Sequence, residues 1–246
     1  MSLSKQPSRH RASASNSPSQ ARTLDALLAQ SVWYVGLSEP ARSEVRARIR
    51  ELDVSMGHAL CRRGDKPRYW YGTIDGLLKW SVTRDDGRSV TLGGLSTGSW
   101  FGEGTLMQGP AHSADIIALK PSRVALLPAD TFAWLRANET SFGEFLLRQI
   151  NERMQWFLGN FAAHHLLDTD GNVARALAGL FHPWLHPLSD PHLRVSQEEI
   201  ANLSGLSRQR CNAALRRLAE AGLIEIEYGG IVVIDLDGLR SRTALR

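Results

Sequence analysis

The chain has 246 residues, of which 43% are hydrophobic and 22% are charged, a composition typical of a globular protein. No run approaches the roughly 18 apolar residues of a membrane span, and the two cysteines, Cys61 and Cys211, are too few for a disulfide-stapled secreted scaffold. The basic N-terminus is not followed by the apolar segment of a signal peptide. We therefore expect a cytoplasmic protein of one or two domains with no membrane partner.

The formal net charge of +4 equals the charge of the first 22 residues alone, which contain four basic side chains, no acid and seven serines. This composition predicts a disordered tail over residues 1–22, because almost no apolar surface is available for burial. Two uses of such a tail stay open: a simply solvated segment, and an auxiliary arm that contacts DNA.

The next part of the chain changes from a helical to a strand pattern. Between residues 23 and 57, apolar residues at intervals of three to four predict helix, and they are Leu24, Leu27, Leu28 and Val32. Between residues 57 and 128, short apolar runs predict strands, and the runs are Trp70–Tyr71, Leu77–Trp80, Val90–Leu95, Ile116–Leu119 and Val124–Leu127. Their spacing indicates a jelly-roll-like β-roll, also called a double-stranded β-helix. The dipeptide Asp86-Gly87 predicts a hairpin with a type I′ turn.

A long helical pattern follows at residues 141–167, which would span about 40 Å at 1.5 Å per residue. Its apolar stripe consists of Phe142, Leu146, Ile150, Met154, Phe157 or Leu158, and Phe161. A stripe on so long a helix predicts a coiled-coil-like seam between two copies of the chain. Packing against the chain's own β-roll is the alternative, and the helix could serve both purposes with two faces.

The C-terminal part predicts helices joined by short turns and then a hairpin. Asp168–Gly171 ends the long helix, a further helix is expected over 172–185, and a proline-rich loop leads to a short strand at Leu193–Val195. Ser196 with Glu199 has the pattern of a capping box and predicts a helix over Gln197–Leu203. The later signals are Gly205 for a turn, Ser207 as the cap of a helix from Arg208 to Ala221, and a hairpin over Leu223–Tyr228 and Ile231–Asp235. This order is that of a winged helix-turn-helix.

The second of these helices carries residue types that read and hold DNA. Those suited to base edges in the major groove are Arg208, Gln209 and Asn212. Those suited to phosphates, which position a domain without reading sequence, are Ser207, Arg210 and Arg216. Double-stranded DNA is therefore the predicted partner.

Two stretches give the chain a resemblance to the Crp/Fnr family of bacterial transcription regulators. They are SQEEIANLSGLSRQR at Ser196–Arg210 and GSWFGE at Gly98–Glu103. The resemblance implies an α+β fold with four parts: a tail (1–22), a cyclic-nucleotide-binding-like sensor domain with a β-roll (23–138), a dimerisation helix (139–168) and a winged helix-turn-helix domain (169–246). It also implies a homodimer on a palindromic operator, and RNA polymerase as a further partner if the regulator activates transcription.

Departures from the family pattern concern the effector. In members that bind cyclic AMP, a Gly-Glu pair and a later Arg-Ser pair hold the ribose and the cyclic phosphate; here the corresponding residues are Gly102, Glu103, His112 and Ser113. A neutral imidazole cannot replace the bidentate, permanently charged guanidinium. Large apolar residues, Phe157 and Leu158, also stand where those members place small hydroxyl residues against the purine. Three readings stay open: an unusually bound cyclic nucleotide, another anionic or apolar effector, and a structural turn without a ligand.

No catalytic residues and no metal site are predicted. His182 and His186 have the i, i+4 spacing of paired ligands, but Pro183 and Pro187 interrupt the helix that such spacing requires. Cys61, beside two arginines, and Cys211 are both interpreted as packing residues. The alternative to a DNA-binding regulator is a ligand-binding or interaction module that no longer reads DNA specifically.

Overall fold

The computed structural model describes residues 22–243, so the predictions for residues 1–21 lie outside the described part of the chain. The described chain has the predicted α+β architecture: a β-roll, one long helix and a winged helix-turn-helix with a small wing sheet. Between residues 22 and 243, no helix is both long enough and apolar enough to cross a membrane.

Three short helices precede the β-roll: α1 (Leu24–Gln30), α2 (Val32–Val35) and α3 (Glu39–Arg48). The chain turns at Ser31, which ends α1 in an extended conformation. Val32, predicted to be helical, lies in α2 and is 62% exposed, whereas Leu27 and Leu28 are buried. The prediction of helix up to Gly57 is also wrong, because Arg50–Val54 pairs as the first strand, β1, of a sheet.

The β-roll consists of two four-stranded antiparallel sheets. Its strands are β1, β2 (Ala59–Cys61), β3 (Tyr69–Asp75), β4 (Leu77–Thr83), β5 (Ser89–Ser96), β6 (Trp100–Phe101), β7 (Asp115–Ala118) and β8 (Ser122–Pro128), in the orders β1-β8-β3-β6 and β2-β7-β4-β5. All five predicted apolar runs overlap these strands. Side chains alternate between faces, so Tyr71 lies in the core between the sheets while Trp70 packs against the helices outside.

The hairpin predicted at Asp86-Gly87 joins β4 to β5, but with a different turn. The N–H of Gly87 donates to the carbonyl oxygen of Arg84 at 2.9 Å. Gly87 has a φ of +82°, whereas no other residue type between residues 22 and 243 has a positive φ. A type I′ turn requires positive φ at both central residues, so the prediction of this turn type is wrong. The longer loop needs only its glycine in the left-handed region.

The long helix α6 (Thr140–Leu166) follows α4 (Glu103–Gln108) and α5 (Ala129–Asn138), and its 27 residues agree with the prediction. Near its start, Phe142 and Leu146 are buried in the core that covers the outside of the β-roll. Farther along, its exposed large apolar residues are Leu147, Ile150, Met154, Leu158, Phe161 and Leu166. The same helix therefore packs against the chain's own β-roll and also exposes apolar side chains, and the seam between two copies stays a prediction.

The C-terminal domain contains α7 (Thr169–Gly179), β9 (His192–Leu193), α8 (Gln197–Ser204), α9 (Arg208–Glu220), β10 (Ile224–Glu227), β11 (Gly230–Val233) and α10 (Leu236–Ser241). Its sheet has the order β10-β11-β9. Asp168 ends α6 and caps α7 by accepting a hydrogen bond from the N–H of Gly171 at 2.8 Å. Helix α7 stops earlier than predicted, because the chain turns at Leu180 ahead of Pro183.

This domain packs directly against β4 and β5. Leu77 of β4 belongs to the apolar core of the C-terminal domain, which also contains Leu180. Gly93 and Gly94 of β5 permit the close approach: a Cβ atom at Gly93 would lie 2.5 Å from Trp156 of α6, and one at Gly94 would overlap Leu180. These glycines therefore serve the packing of domains rather than a turn.

Candidate DNA-binding surface and ligand cavity

Local hydrogen bonds fix the geometry between α8 and α9. The Ser196 hydroxyl accepts from the N–H of Glu199 at 3.2 Å, and the Ser207 hydroxyl accepts from the N–H of Arg210 at 3.4 Å. Gly205, with a φ of +66°, ends α8. Both predicted N-caps and the glycine turn are confirmed. The predicted inward stripe of α9 is buried and comprises Cys211, Leu215 and Leu218.

The second half of the predicted capping box is replaced by a contact between domains. The Glu199 carboxylate accepts hydrogen bonds from Nζ of Lys79 on β4, at 2.9 and 3.0 Å. The side chains are only 15% exposed for Lys79 and 24% exposed for Glu199. Docking of the domains brings the Lys79 ammonium within reach, so that both donor and acceptor of these hydrogen bonds are charged.

The residues predicted to read bases differ in exposure. Arg208 and Gln209 lie exposed in the first turn of α9. Asn212 is half-buried, and its Oδ1 is buried without a hydrogen-bond partner among residues 22–243. Arg208 and Gln209 can thus reach a DNA groove without rearrangement. Asn212 can pair its buried oxygen only by a change of rotamer or with a bound hydrogen-bond donor.

The arginines on α9 differ in whether their side chains bond to another part of the protein. Arg217 forms a bidentate pair with Asp170 at the start of α7, with N–O distances of 2.6 to 3.0 Å. Arg210 donates to the Thr169 hydroxyl at 3.1 Å. Arg216 is exposed. The Arg217 pair fastens α9 to α7, while Arg216 presents its charge to solvent.

Sequence reasoning missed a residue at the tip of the wing. Tyr228 and Gly229 form the two-residue loop between β10 and β11, and Tyr228 is fully exposed. An aromatic side chain directly before a Gly-Gly turn was the available signal. Its hydroxyl can donate to a phosphate oxygen, one of the polar contacts through which proteins hold the DNA backbone.

A cavity of about 560 Å³ opens between the β-roll and α6. All four predicted effector residues line it: Gly102, Glu103, His112 and Ser113. Its other lining residues include Cys61, Tyr71, Trp80, Leu95, Phe101, Thr105, Gln108, Ile116, Ile150, Arg153, Met154 and Phe157. A volume of this size is within the range of small-molecule sites.

Glu103 is already paired inside this cavity. Its carboxylate lies 3.2 Å from the guanidinium of Arg153 on α6 and accepts a hydrogen bond from the indole N–H of Trp70 at 3.3 Å. The side chains are 4% exposed for Glu103 and 15% exposed for Arg153. Arg153 also donates to the carbonyl oxygen of Trp100. Sequence reasoning missed Arg153, because its position within an apolar stripe did not indicate a partner on another element.

His112 is buried at 7% exposure, and burial lowers the pKa of its imidazole below the usual value. Its Nε2 has no hydrogen-bond partner among residues 22–243. Burial therefore disfavours a positive charge on this ring. Gly102, with a φ of +101°, begins α4, and Ser113 lies exposed.

Phe157 and Leu158 occupy different environments. Phe157 lines the cavity and contacts Trp80 edge to face, with ring centroids 5.6 Å apart. Leu158 is 55% exposed and does not line the cavity. Within one chain, Phe157 restricts the space that a bound purine would need, and Leu158 does not.

The cysteines and histidines considered as reactive or metal-binding groups are buried or hydrogen-bonded within the protein. Burial raises the pKa of the Cys61 thiol to about 12 and that of Cys211 to about 11, so neither is a thiolate at neutral pH. His186 is fully buried, and its Nδ1 lies 2.6 Å from the hydroxyl of Ser99. His182 accepts hydrogen bonds from backbone N–H groups. Among residues 22–243, no cluster of three or more such ligands could hold a metal ion.

Family comparisons agree with this organisation. A family model for the cyclic nucleotide-binding domain matches residues 51–139, and one for the Crp-like helix-turn-helix domain matches residues 163–242. The Crp-like helix-turn-helix domain is a DNA-binding module, and the relatives that match this chain are transcription regulators.

Individual relatives match over nearly their whole length. A "CRP-like cAMP-activated global transcriptional regulator" from Mycobacterium tuberculosis (strain CDC 1551 / Oshkosh) is 26% identical over 223 residues, covering 89% of this chain and 99% of that protein. The "cAMP-activated global transcriptional regulator Vfr" from Pseudomonas aeruginosa is 26% identical and covers 76% of this chain and 94% of its own. Among solved structures, FixK2 from Bradyrhizobium japonicum has a TM-score of 0.69 at 16% identity, with 80% and 98% coverage. Together with the two matching domains, these similarities assign the chain to the Crp/Fnr family of transcription regulators.

Proposed function

We propose that the chain is a cytoplasmic homodimer that binds a palindromic operator, and that its effector is not cyclic AMP held in the family's usual way. The observation that carries the DNA-binding part is the exposed first turn of α9 together with the exposed wing tip. Residues 23–138, 139–168 and 169–243 then act as sensor, dimerisation helix and DNA-binding domain.

The exposed face of α6 supports the homodimer. Leu147, Met154, Leu158 and Phe161 are separated by intervals of seven, four and three residues, which is the spacing of a coiled-coil seam. Leaving such a row in water is unfavourable, and a second copy of the same helix covers it. A two-fold axis along this seam would relate two α9 helices, which suits half-sites one DNA turn apart, about 34 Å.

Within each half-site, Arg208 and Gln209 contact base edges, and Asn212 joins them after a change of rotamer. Ser207, Arg210 and Arg216 contact phosphates, and Tyr228 adds a contact from the wing. The positive end of the α9 dipole also favours a phosphate at this terminus.

The cavity argues against the usual mode of cyclic AMP binding. Burial disfavours a positive charge on His112, so this side chain does not supply the permanent charge of the family's phosphate-binding arginine, and Glu103 is already engaged by Arg153. The relatives above are cyclic-AMP-activated, but this chain lacks the charge on which that recognition depends.

The test selects genomic fragments with the full chain and then compares three alanine variants on the selected operator. Arg208→Ala should reduce discrimination at one base pair by about 1–3 kcal/mol, or about 5- to 150-fold. Arg216→Ala should weaken all DNA alike and reduce the slope of log affinity against log salt by about 1. Arg136→Ala removes an exposed arginine from α5 and should change neither property. Fragment selection without any preference, even at low salt, would instead support a module that no longer reads DNA.

A further inference from the structure

The charged side chains that line the cavity neutralise each other. Glu103 and Arg153 are the two that lie deep in it, 3.2 Å apart, and burial disfavours a positive charge on His112. An anionic ligand could obtain a positive charge from the lining side chains only by drawing Arg153 away or by protonating the buried His112. Drawing Arg153 away would leave the Glu103 carboxylate buried without its cation, which reduces affinity by about 100-fold or more. The lining therefore discriminates against anions.

The rest of the deep lining is apolar and largely aromatic. Tyr71 and Phe101 are stacked with ring centroids 5.4 Å apart and planes at 19°. Trp80 and Phe157 meet edge to face. Aliphatic contacts come from Leu95, Ile116, Ile150 and Met154. Aromatic walls of this kind favour a planar apolar ligand, because both its area and its ring faces are matched.

Apart from His112, whose buried Nε2 has no partner among residues 22–243, three uncommitted polar side chains lie nearer to solvent. Gln108 and Ser113 are exposed, and Thr105 is half-buried; all three line the cavity. Hydrogen-bonding capacity is thus available for one polar group at the opening, while the interior offers apolar contact.

We propose that this cavity binds an uncharged, mainly aromatic small molecule, with its apolar body against the four aromatic rings and one polar group at the opening. The proposal deepens the proposed function, because it gives the effector class of the same regulator. It rests on that function only in treating the cavity as the sensor site.

The test uses two fluorescent probes of nearly the same shape. N-phenyl-1-naphthylamine is uncharged, and 8-anilinonaphthalene-1-sulfonate carries one negative charge. The full chain should bind the uncharged probe saturably with one site per chain and at least about tenfold more tightly than the anionic probe. Excess cyclic AMP should not displace it. Absence of saturable binding, equal binding of both probes, or displacement by cyclic AMP would overturn the proposal.

Two variants locate the binding. Glu103→Gln is nearly isosteric and leaves Arg153 with an unbalanced charge, so the preference for the uncharged probe should fall by about tenfold. Gly104→Trp adds an indole at a cavity-lining position where a Cβ atom meets nothing within 4 Å, and it should weaken the uncharged probe by about tenfold or more. The control Gly143→Trp makes the same change at an equally open position on α6 outside the cavity and should have no effect.

DNA binding is measured by anisotropy on the same preparations. Binding of DNA without binding of the uncharged probe would overturn the ligand proposal and leave the regulator intact. Binding of the probe without binding of DNA would overturn the proposed function and leave the cavity's specificity intact. A preference between the probes that is unchanged in Glu103→Gln, or a Gly104→Trp variant that binds as the unmodified chain does, would refute the assignment of the ligand to this cavity.

Discussion

Replacing Lys79 by methionine should weaken the attachment of the DNA-binding domain to the β-roll. The Lys79 ammonium donates two hydrogen bonds to the Glu199 carboxylate, at 2.9 and 3.0 Å. Methionine keeps most of the length and apolar character of the side chain but removes the charge. The remaining carboxylate would then be 24% exposed, too little for full hydration.

The expected magnitude follows from this partial burial. A hydrogen bond to a charged group contributes about 1.5–3 kcal/mol, and breaking a fully buried pair costs about 3–5 kcal/mol. Since both partners retain some contact with water, we expect each of Lys79→Met and Glu199→Met to lower the free energy of unfolding by about 2 kcal/mol. The double variant should fall short of the sum by a coupling energy of about 1–2 kcal/mol.

The assay is urea unfolding of the four proteins in this cycle, with the melting temperature as a second readout. For a chain of this size, about 1 kcal/mol corresponds to a shift of about 2–4 °C. The exposed pair between Glu39 and Arg42, at 2.8 Å on α3, provides a control cycle with an expected coupling below about 0.5 kcal/mol. Additive effects of the Lys79 and Glu199 replacements, within about 0.5 kcal/mol, would refute the reasoning.

Two further predictions concern the dimer and pH. Leu158→Glu should convert the dimer to monomers in sedimentation experiments, because it introduces charges into the seam; the control Val32→Glu, at an equally exposed apolar site, should remain dimeric. Burial, followed by the charges of Arg153 and His182, lowers the pKa of His186 to about 3. The unfolded chain binds this proton near pH 6.5, so the contribution of His186 to stability is complete above about pH 6.5 and is lost as the pH falls towards 3, by at most about 1.4 kcal/mol per pH unit. His186→Gln should flatten the dependence of unfolding free energy on pH in that window, and an unchanged slope would contradict the assignment.

Local sequence signals predicted the helix-turn-helix well. Ser196 and Ser207 cap the helices that follow them, and Gly205 makes the turn, because each acts on a backbone only a few residues away. The length of α6 was predicted for the same reason, since its periodicity extends over the whole helix.

Contacts between distant segments could not be predicted in this way. Glu199 satisfied a local pattern, but its partner is 120 positions away. Arg153 and Glu103 are likewise brought together only when α6 packs across the β-roll. The different positions of Phe157 and Leu158 depend on which side of α6 faces the cavity, and adjacent helical residues are separated by about 100° around the axis. The periodicity of the sequence predicts which residues form the apolar stripe of α6, but it does not predict what each side of that stripe contacts.

Strand β4 joins these long-range features, because its side chains alternate between two environments. Leu77 lies in the core of the DNA-binding domain and Lys79 pairs with Glu199, whereas Leu78 lies in the interior of the β-roll and Trp80 lines the cavity. One strand therefore separates the ligand cavity from the domain contact. Lys79 and Trp80 are adjacent residues of this strand. A displacement of Trp80 therefore also moves Lys79, because packed interiors transmit such shifts. The Lys79 cycle consequently measures the strength of one contact between the strand that lines the cavity and α8.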